Sequence, residues 1–175
     1  LKREGINTEY IIIDKENPSG IALIMVDKKG ENLISVAGGA NQRLGAEDIE
    51  FTQEAIRLSK YILLQLEIPI EAVSKAIEIA NQNNIGVILN PAPIPPNGIP
   101  SYILNKIDYI IPNQGEASML INRTLDSPEE YIKALLDLGP KNVILTLGSK
   151  GVMWGDKDNI KSIPSINVTP VDTVG

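Results

Sequence analysis

The sequence predicts an α/β fold, a mostly parallel sheet with flanking helices, carrying a small β lid at one end. Three observations predict it. From Tyr61 onward, short β-rich runs alternate with helix-patterned stretches, the signature of right-handed βαβ crossovers. The run Val143-Ile144-Leu145-Thr146-Leu147 is almost continuously apolar, as suits a strand buried on both faces of such a sheet. Before Tyr61, by contrast, short β-rich runs follow one another with only turn residues between them, which reads as hairpins.

In chain order, Leu1 to Gly5 reads as a last helical turn stopped by glycine. Strands are expected at Tyr10 to Asp14, Ile21 to Val26 and Asn32 to Val36, separated by Asn17-Pro18-Ser19-Gly20 and by Asp27-Lys28-Lys29-Gly30-Glu31. In Ile21 to Val26 both alternating faces are apolar, which implies cover by a partner, a ligand or another subunit. Gly38-Gly39-Ala40-Asn41 breaks the β region, and a helix is expected from Ala46 to Leu58. The α/β part then reads as a strand at Tyr61 to Leu66, a helix at Pro69 to Asn83 and a strand at Gly86 to Leu89. A strand at Asp108 to Ile111 and a helix from Asn113 to Ile121 follow. Ile70, Val73, Ile77 and Ala80 share one helical face. Ser127-Pro128-Glu129-Glu130 is a capping box with proline in the first turn, opening a helix to Leu138 that Gly139-Pro140 closes. The chain divides into partial lid or interface hairpins at 9–41 and a partial α/β core at 42–175.

Composition restricts the chemistry. The 175 residues carry a formal net charge of −6, which argues against a nucleic-acid or anionic-membrane surface. No stretch has the length of a membrane helix and the first residues carry no apolar leader, so a soluble, cytoplasmic protein is expected. There is no cysteine and no histidine. Thiolate and imidazole catalysis and the usual zinc sites are thereby excluded from this stretch. Carboxylates, lysines, hydroxyls, amides and hard cations remain, an inventory suited to phosphoryl transfer around Mg²⁺.

Candidate site residues gather where strands end. Gly148 and Gly151 bracket a sharp turn whose amides, from Gly148 through Ser149 and Lys150 to Gly151, can converge on an anion. The side chains of Thr146, Ser149 and Lys150 add donors. An ordinary glycine-rich turn is the competing account, and the spacing is not that of a Walker A loop. In parallel sheets ligands collect at the carboxyl ends of strands, and Glu67, Asn90, Asn113 and Thr146 all fall there. Each has a structural alternative: Asn113-Gln114-Gly115-Glu116 is also a helix cap, Asn90-Pro91-Ala92-Pro93 a rigid turn, and Glu67 a solvated acid near a helix start.

Gln65-Leu66-Glu67, Asn90-Pro91-Ala92-Pro93, Pro112-Asn113-Gln114-Gly115-Glu116, Thr146 to Gly151 and Val171-Asp172-Thr173-Val174-Gly175 occur in the order in which they occur in the PfkB family of carbohydrate kinases, and the chain resembles its ribokinase branch. Gly30-Glu31-Asn32 and Gly39-Ala40-Asn41 extend the resemblance into the hairpins. It implies a ribokinase-like fold and ATP-dependent phosphorylation of ribose. Glu67 then corresponds to a glutamate on the sugar hydroxyls, and Asn113 to an asparagine near the ATP phosphates. Glu116 corresponds to a glutamate that acts on Mg²⁺ through its water shell. Thr146, Leu147, Gly148, Ser149, Lys150 and Gly151 correspond to the nucleotide turn, and Asp172 with the Val174 carbonyl to a K⁺ site. The hairpins correspond to a lid that also joins two subunits into a homodimer. The resemblance puts the catalytic aspartate just beyond Gly175 and further sugar contacts before Leu1, so the chain reads as a central piece, inactive by itself. A sister kinase for fructose, a ketodeoxy sugar acid or a nucleoside, and a non-catalytic nucleotide or sugar sensor, are the alternatives.

Overall fold

In the computed structural model, residues 1–28, 32–166 and 168 are described. A six-stranded sheet forms the body and a separate two-stranded hairpin stands beside it. The hairpin pairs β1 (Ile21–Val26) with β2 (Asn32–Ala37) antiparallel, Ala22 facing Val36 and Ile24 facing Ile34. A 3-10 turn at Gly39–Arg43 leads out of it, followed by α1 (Ala46–Phe51) and α2 (Gln53–Arg57). Then come β3 (Tyr61–Leu64), α3 (Ile70–Gln82), β4 (Gly86–Leu89), α4 (Ser101–Leu104), β5 (Tyr109–Ile110), α5 (Gln114–Ile121) and α6 (Pro128–Leu136). The chain closes with β6 (Asn142–Thr146), β7 (Val152–Gly155) and β8 (Ile160–Ile163).

The sheet order is β3-β4-β5-β6-β7-β8. The first four strands run parallel and the last two add on antiparallel. Val87, Leu89, Ile110, Val143 and Leu145 are fully buried on one sheet face. They join Val73 and Ile77 of α3 and Tyr131, Ile132 and Leu135 of α6 in one apolar cluster. Burying a Val, Leu or Ile side chain contributes about 1.5–3 kcal/mol, so this interdigitated layer fixes the strand order and hence which strand ends lie side by side. Among the described residues no helix is long and apolar enough to cross a membrane.

Several expected elements change on folding. Tyr10 to Asp14 is not a strand. Ile11 donates back to the Thr8 carbonyl at 3.2 Å, and the Asp14 carboxylate accepts from the backbone of Glu16 and Asn17 at 2.8 and 3.0 Å. A backbone turn therefore bends one end of this short run, and side-chain competition for the backbone bends the other. The expected helix from Ala46 to Leu58 breaks at Thr52, whose hydroxyl donates to the Ile49 carbonyl at 2.9 Å while its backbone takes φ −90 and ψ 2. The strand expected to Leu66 stops at Leu64. Leu66 instead donates to the Ala92 carbonyl at 3.0 Å, which prolongs the contact with the neighbouring chain segment without a full ladder. Lys2–Glu4 is a 3-10 turn ended by Gly5 at φ 72, and β7 and β8 have no counterpart in the expected elements. Lys29, Gly30 and Glu31 in the hairpin loop, and Val171 to Gly175 including the expected K⁺ ligands Asp172 and Val174, lie outside the described residues.

Candidate functional site

Parallel pairing brings four carboxyl strand ends to one rim. Glu67 follows β3, Asn90 follows β4, Asn113 follows β5, and Thr146 closes β6. The rim is stitched by backbone bonds beyond the strands themselves: Asn90 donates to the Leu64 carbonyl and Thr146 to the Pro112 carbonyl, both at 2.9 Å. Asn113 and Thr146 also pair as an isolated parallel bridge. The strand-end alignment expected from the sequence is thus present.

Asn113 and Glu116 are locked together at the start of α5. The Asn113 side chain accepts from the Glu116 amide at 2.9 Å, and Glu116 Oε2 accepts from the Asn113 amide at 2.8 Å. This is the capping box that the sequence offers as the alternative account. It does not consume the carboxylate, because Oε1 of Glu116 makes no hydrogen bond among the described residues. A single fixed carboxylate with one open oxygen fits Mg²⁺, which keeps much of its water shell. It does not fit a fully protein-ligated ion, and no group of three or more acidic side chains is assembled among the described residues.

The Thr146 to Gly151 turn folds as a 3-10 turn over Gly148–Lys150. Gly148 and Gly151 both have positive φ, 58 and 93. Their needs differ. A Cβ on Gly148 would meet nothing within 4 Å, whereas one on buried Gly151 would stand 2.2 Å from the Ile163 carbonyl oxygen and 2.6 Å from the Ser165 nitrogen. Only part of the expected amide cradle is open. Lys150 donates to the Leu147 carbonyl at 3.2 Å and Gly151 to the Gly148 carbonyl at 3.0 Å, because a tight turn closes on itself. The amides of Gly148 and Ser149 and the exposed Lys150 ammonium remain for an anion. The Thr146 hydroxyl is also occupied, donating to the Pro112 carbonyl at 3.4 Å. The Ser149 carbonyl accepts from the Ser165 hydroxyl at 2.5 Å, which ties the turn to the segment after β8.

Glu67 is half-buried and lines a cleft of about 800 Å³. One wall is the inner face of the hairpin, Ala22, Ile24, Ile34 and Val36. The other wall is the rim, with Leu66, Glu67, Ala92, Pro93 and Glu116. The Ala92–Pro93 peptide is cis. Glu67 Oε1 accepts from the Gln65 side chain at 3.3 Å, leaving most of the carboxylate's acceptor capacity for a ligand hydroxyl. Glu67 and Glu116 therefore share one cleft, while the Thr146 to Gly151 turn lies farther along the rim, outside its lining. Sequence reasoning missed Gln42, which also lines the cleft and donates to the Glu67 carbonyl at 2.8 Å. The sequence signals nearby are Gly39-Ala40-Asn41, which carries the family resemblance as far as the residue before Gln42, and Gly39 at φ 54, which lets the chain turn there.

The sequence profile of the pfkB family of carbohydrate kinases matches residues 1–175. Curated relatives include a ribokinase of Staphylococcus aureus, 36% identical over 99% of this chain and 57% of its own length. A deoxyribokinase of Salmonella typhi is 36% identical over 100% of this chain and 58% of its own. The fold is similar to that of the ribokinase of Thermotoga maritima, with a TM-score of 0.75 and 38% identity over 90% of this chain and 52% of that one. It is also similar to the Arabidopsis thaliana ribokinase solved with ribose and ATP, with a TM-score of 0.72 and 27% identity over 89% and 51%. The chain spans somewhat over half the length of the curated relatives it matches.

Proposed function

This chain belongs to the pfkB family of carbohydrate kinases, and from that premise we propose that the protein containing it transfers the terminal phosphoryl group of ATP to the primary hydroxyl of ribose. The observation that carries the reading is the cleft itself. It sets one carboxylate under an aliphatic cover and a second, helix-capping carboxylate beside it. Glu67 accepts sugar hydroxyls, since an ionised carboxylate takes two such bonds readily. Ile24, Ile34 and Val36, on the hairpin wall opposite Glu67, supply apolar contacts for the sugar's C–H faces.

The nucleotide side of the reading rests on the neighbouring rim. Asn113, the Gly148 and Ser149 amides and the exposed Lys150 ammonium are the groups that would hold the phosphates. Mg²⁺ neutralises charge on the phosphates when bound, and Glu116 steadies its water shell. Phosphoryl transfer asks mainly for such positioning. K⁺ at Asp172 and Val174 belongs to the same proposal. The outer face of the hairpin, with Leu23, Met25 and Leu33 each more than half exposed, suits pairing with a second copy of the lid.

Ribose and 2-deoxyribose compete as the acceptor, because relatives named for each are equally similar to the chain. The experiment is ATP-dependent phosphate transfer by the protein containing this chain to ribose, 2-deoxyribose, fructose and a nucleoside, measured as kcat/KM. Ribose preferred over the others supports the reading. Preference for 2-deoxyribose moves it to the sister activity, and binding of nucleotide and sugar without turnover would support a sensor instead.

A further inference from the structure

We propose that Gln42 is a positioning residue that ties the stem of the lid to the backbone of Glu67 and so sets where the sugar-binding carboxylate stands. The proposal rests on the sugar-kinase reading of the cleft given above. Gln42 lies in the 3-10 turn through which the chain leaves β2, and Glu67 lies just past the end of β3. The Gln42 Nε2 donates to the Glu67 carbonyl oxygen at 2.8 Å, across 25 residues of sequence. Both residues line the same cleft. This side-chain bond pins the lid exit directly to the rim residue that carries the carboxylate.

The surrounding backbone is shaped to permit the bond. Gly38 has φ −64 and ψ −27, a conformation open to any residue, so its lack of a side chain is not needed for the turn. It is needed for space: a Cβ there would stand 2.5 Å from Gln42 Cγ and 2.9 Å from Nε2. The stem is closed on its other side as well. Ala40 donates to the Pro18 carbonyl at 2.8 Å, and Gly39, at φ 54, leaves no room for a Cβ against that same oxygen, 2.4 Å away. Entry and exit of the hairpin are thus held together, and Gln42 is what connects this closed stem to the sugar side of the rim. Without it, the 65–67 segment keeps its strand-end contacts but loses its tie to the lid. The Glu67 carboxylate then sits less firmly under the hairpin, and sugar affinity falls while nucleotide affinity does not.

The test is a double-mutant cycle in the protein containing this chain, with Gln42→Met, Glu67→Ala and the pair, read as sugar KM, ATP KM and melting temperature. Methionine keeps length and volume and removes the donor. Loss of one neutral hydrogen bond predicts a sugar KM raised about 3- to 10-fold, with ATP KM unchanged. Because Gln42 acts through Glu67, its effect should vanish when Glu67 is already alanine. Gly38→Ala should reproduce Gln42→Met, since it displaces the same side chain with no backbone strain. A silent Gln42→Met beside a damaging Glu67→Ala overturns this proposal and leaves the sugar site standing. Additive effects of the two changes, or equal losses for sugar and ATP, overturn it too. A silent Glu67→Ala overturns both the proposal and the site on which it rests.

Discussion

Replacing Glu116 with glutamine separates the two roles that its position allows. The side chain closes the cap of α5 through a 2.8 Å bond from the Asn113 amide to Oε2, and glutamine can accept the same bond at this position of a capping box. What glutamine removes is the negative charge at the helix N-terminus, worth about 0.3–1 kcal/mol. For a chain of this length 1 kcal/mol moves Tm by roughly 2–4 °C, so the stability loss should be of the order of 1–4 °C. Turnover should suffer far more. An outer-shell carboxylate acting on a metal through water typically costs about 10- to 100-fold in metal affinity or activity when removed. The assay is ATP-dependent sugar phosphorylation over a Mg²⁺ titration, beside a thermal melt of the same samples. Glu116→Gln should raise the Mg²⁺ concentration for half-maximal rate and lower kcat while the melt barely shifts. Near-normal turnover with a melt shifted as far as in Glu116→Ala would show that the carboxylate is a cap and nothing more.

Gly151→Ala should cost more stability than Gly148→Ala: both force an alanine to positive φ, at roughly 1–2 kcal/mol, but only Gly151 also meets backbone atoms, 2.2 Å away. Chemical denaturation of both variants checks the order, and equal losses would refute it. Glu67→Ala should weaken sugar binding by roughly 1.5–3 kcal/mol, the range for a hydrogen bond to a charged group, with ATP binding unmoved in parallel titrations; equal losses would indicate a folding defect. Asp156, in the turn between β7 and β8, is held below the usual carboxylate range chiefly by the backbone N–H of Asp158, with Asn159 adding to it. A depressed folded-state pKa stabilises the fold above the unfolded value and is lost as pH falls through the folded one. The turn amides of Asp158 and Asn159 should therefore lose hydrogen-exchange protection only in strong acid, below the ordinary aspartate range, and loss already near neutrality would refute the assignment.

What the sequence disclosed, and what it hid, follows from how local each determinant is. The caps of α5 and α6 are readable because donor and acceptor lie three residues apart: Ser127 accepts from the Glu130 amide at 3.3 Å just as Asn113 accepts from Glu116. The rim is readable one step further out, since alternating strands and helices force parallel pairing, and parallel pairing puts all carboxyl ends on one side. Tyr10 to Asp14 misleads because three consecutive isoleucines look like a strand while the decisive bonds are to Asp14 at its edge. β7 and β8 escape because no α-helix separates them from β6, so the alternation of strand and helix that reveals β3 and β4 does not reach them, and half of β8 is polar. Gln42 escapes because its one informative contact is made across 25 residues. The resemblance to a kinase family, in turn, supplied roles for Glu67, Asn113 and Glu116 that spacing alone leaves open.

The structural and chemical accounts of the rim are not competitors. An active-site carboxylate is useful only if it is held still, and a side chain is held still by bonds that look, from the sequence, like ordinary turn and cap chemistry. Glu116 spends one oxygen on the cap and keeps the other. Glu67 has its carbonyl taken by Gln42 and only a long contact from Gln65 on its carboxylate. In the Thr146 to Gly151 turn, the amides of Leu147, Lys150 and Gly151 close the turn, that of Thr146 holds Pro112, and those of Gly148 and Ser149 remain. At each of these places the backbone is immobilised by part of the hydrogen-bonding capacity and the remainder faces outward. A residue whose groups were all satisfied internally would be structural only, and one with none satisfied would be too mobile to orient a phosphoryl group. The division of each group's capacity, more than the identity of the residue, is what supports the proposed reading of this rim as a site.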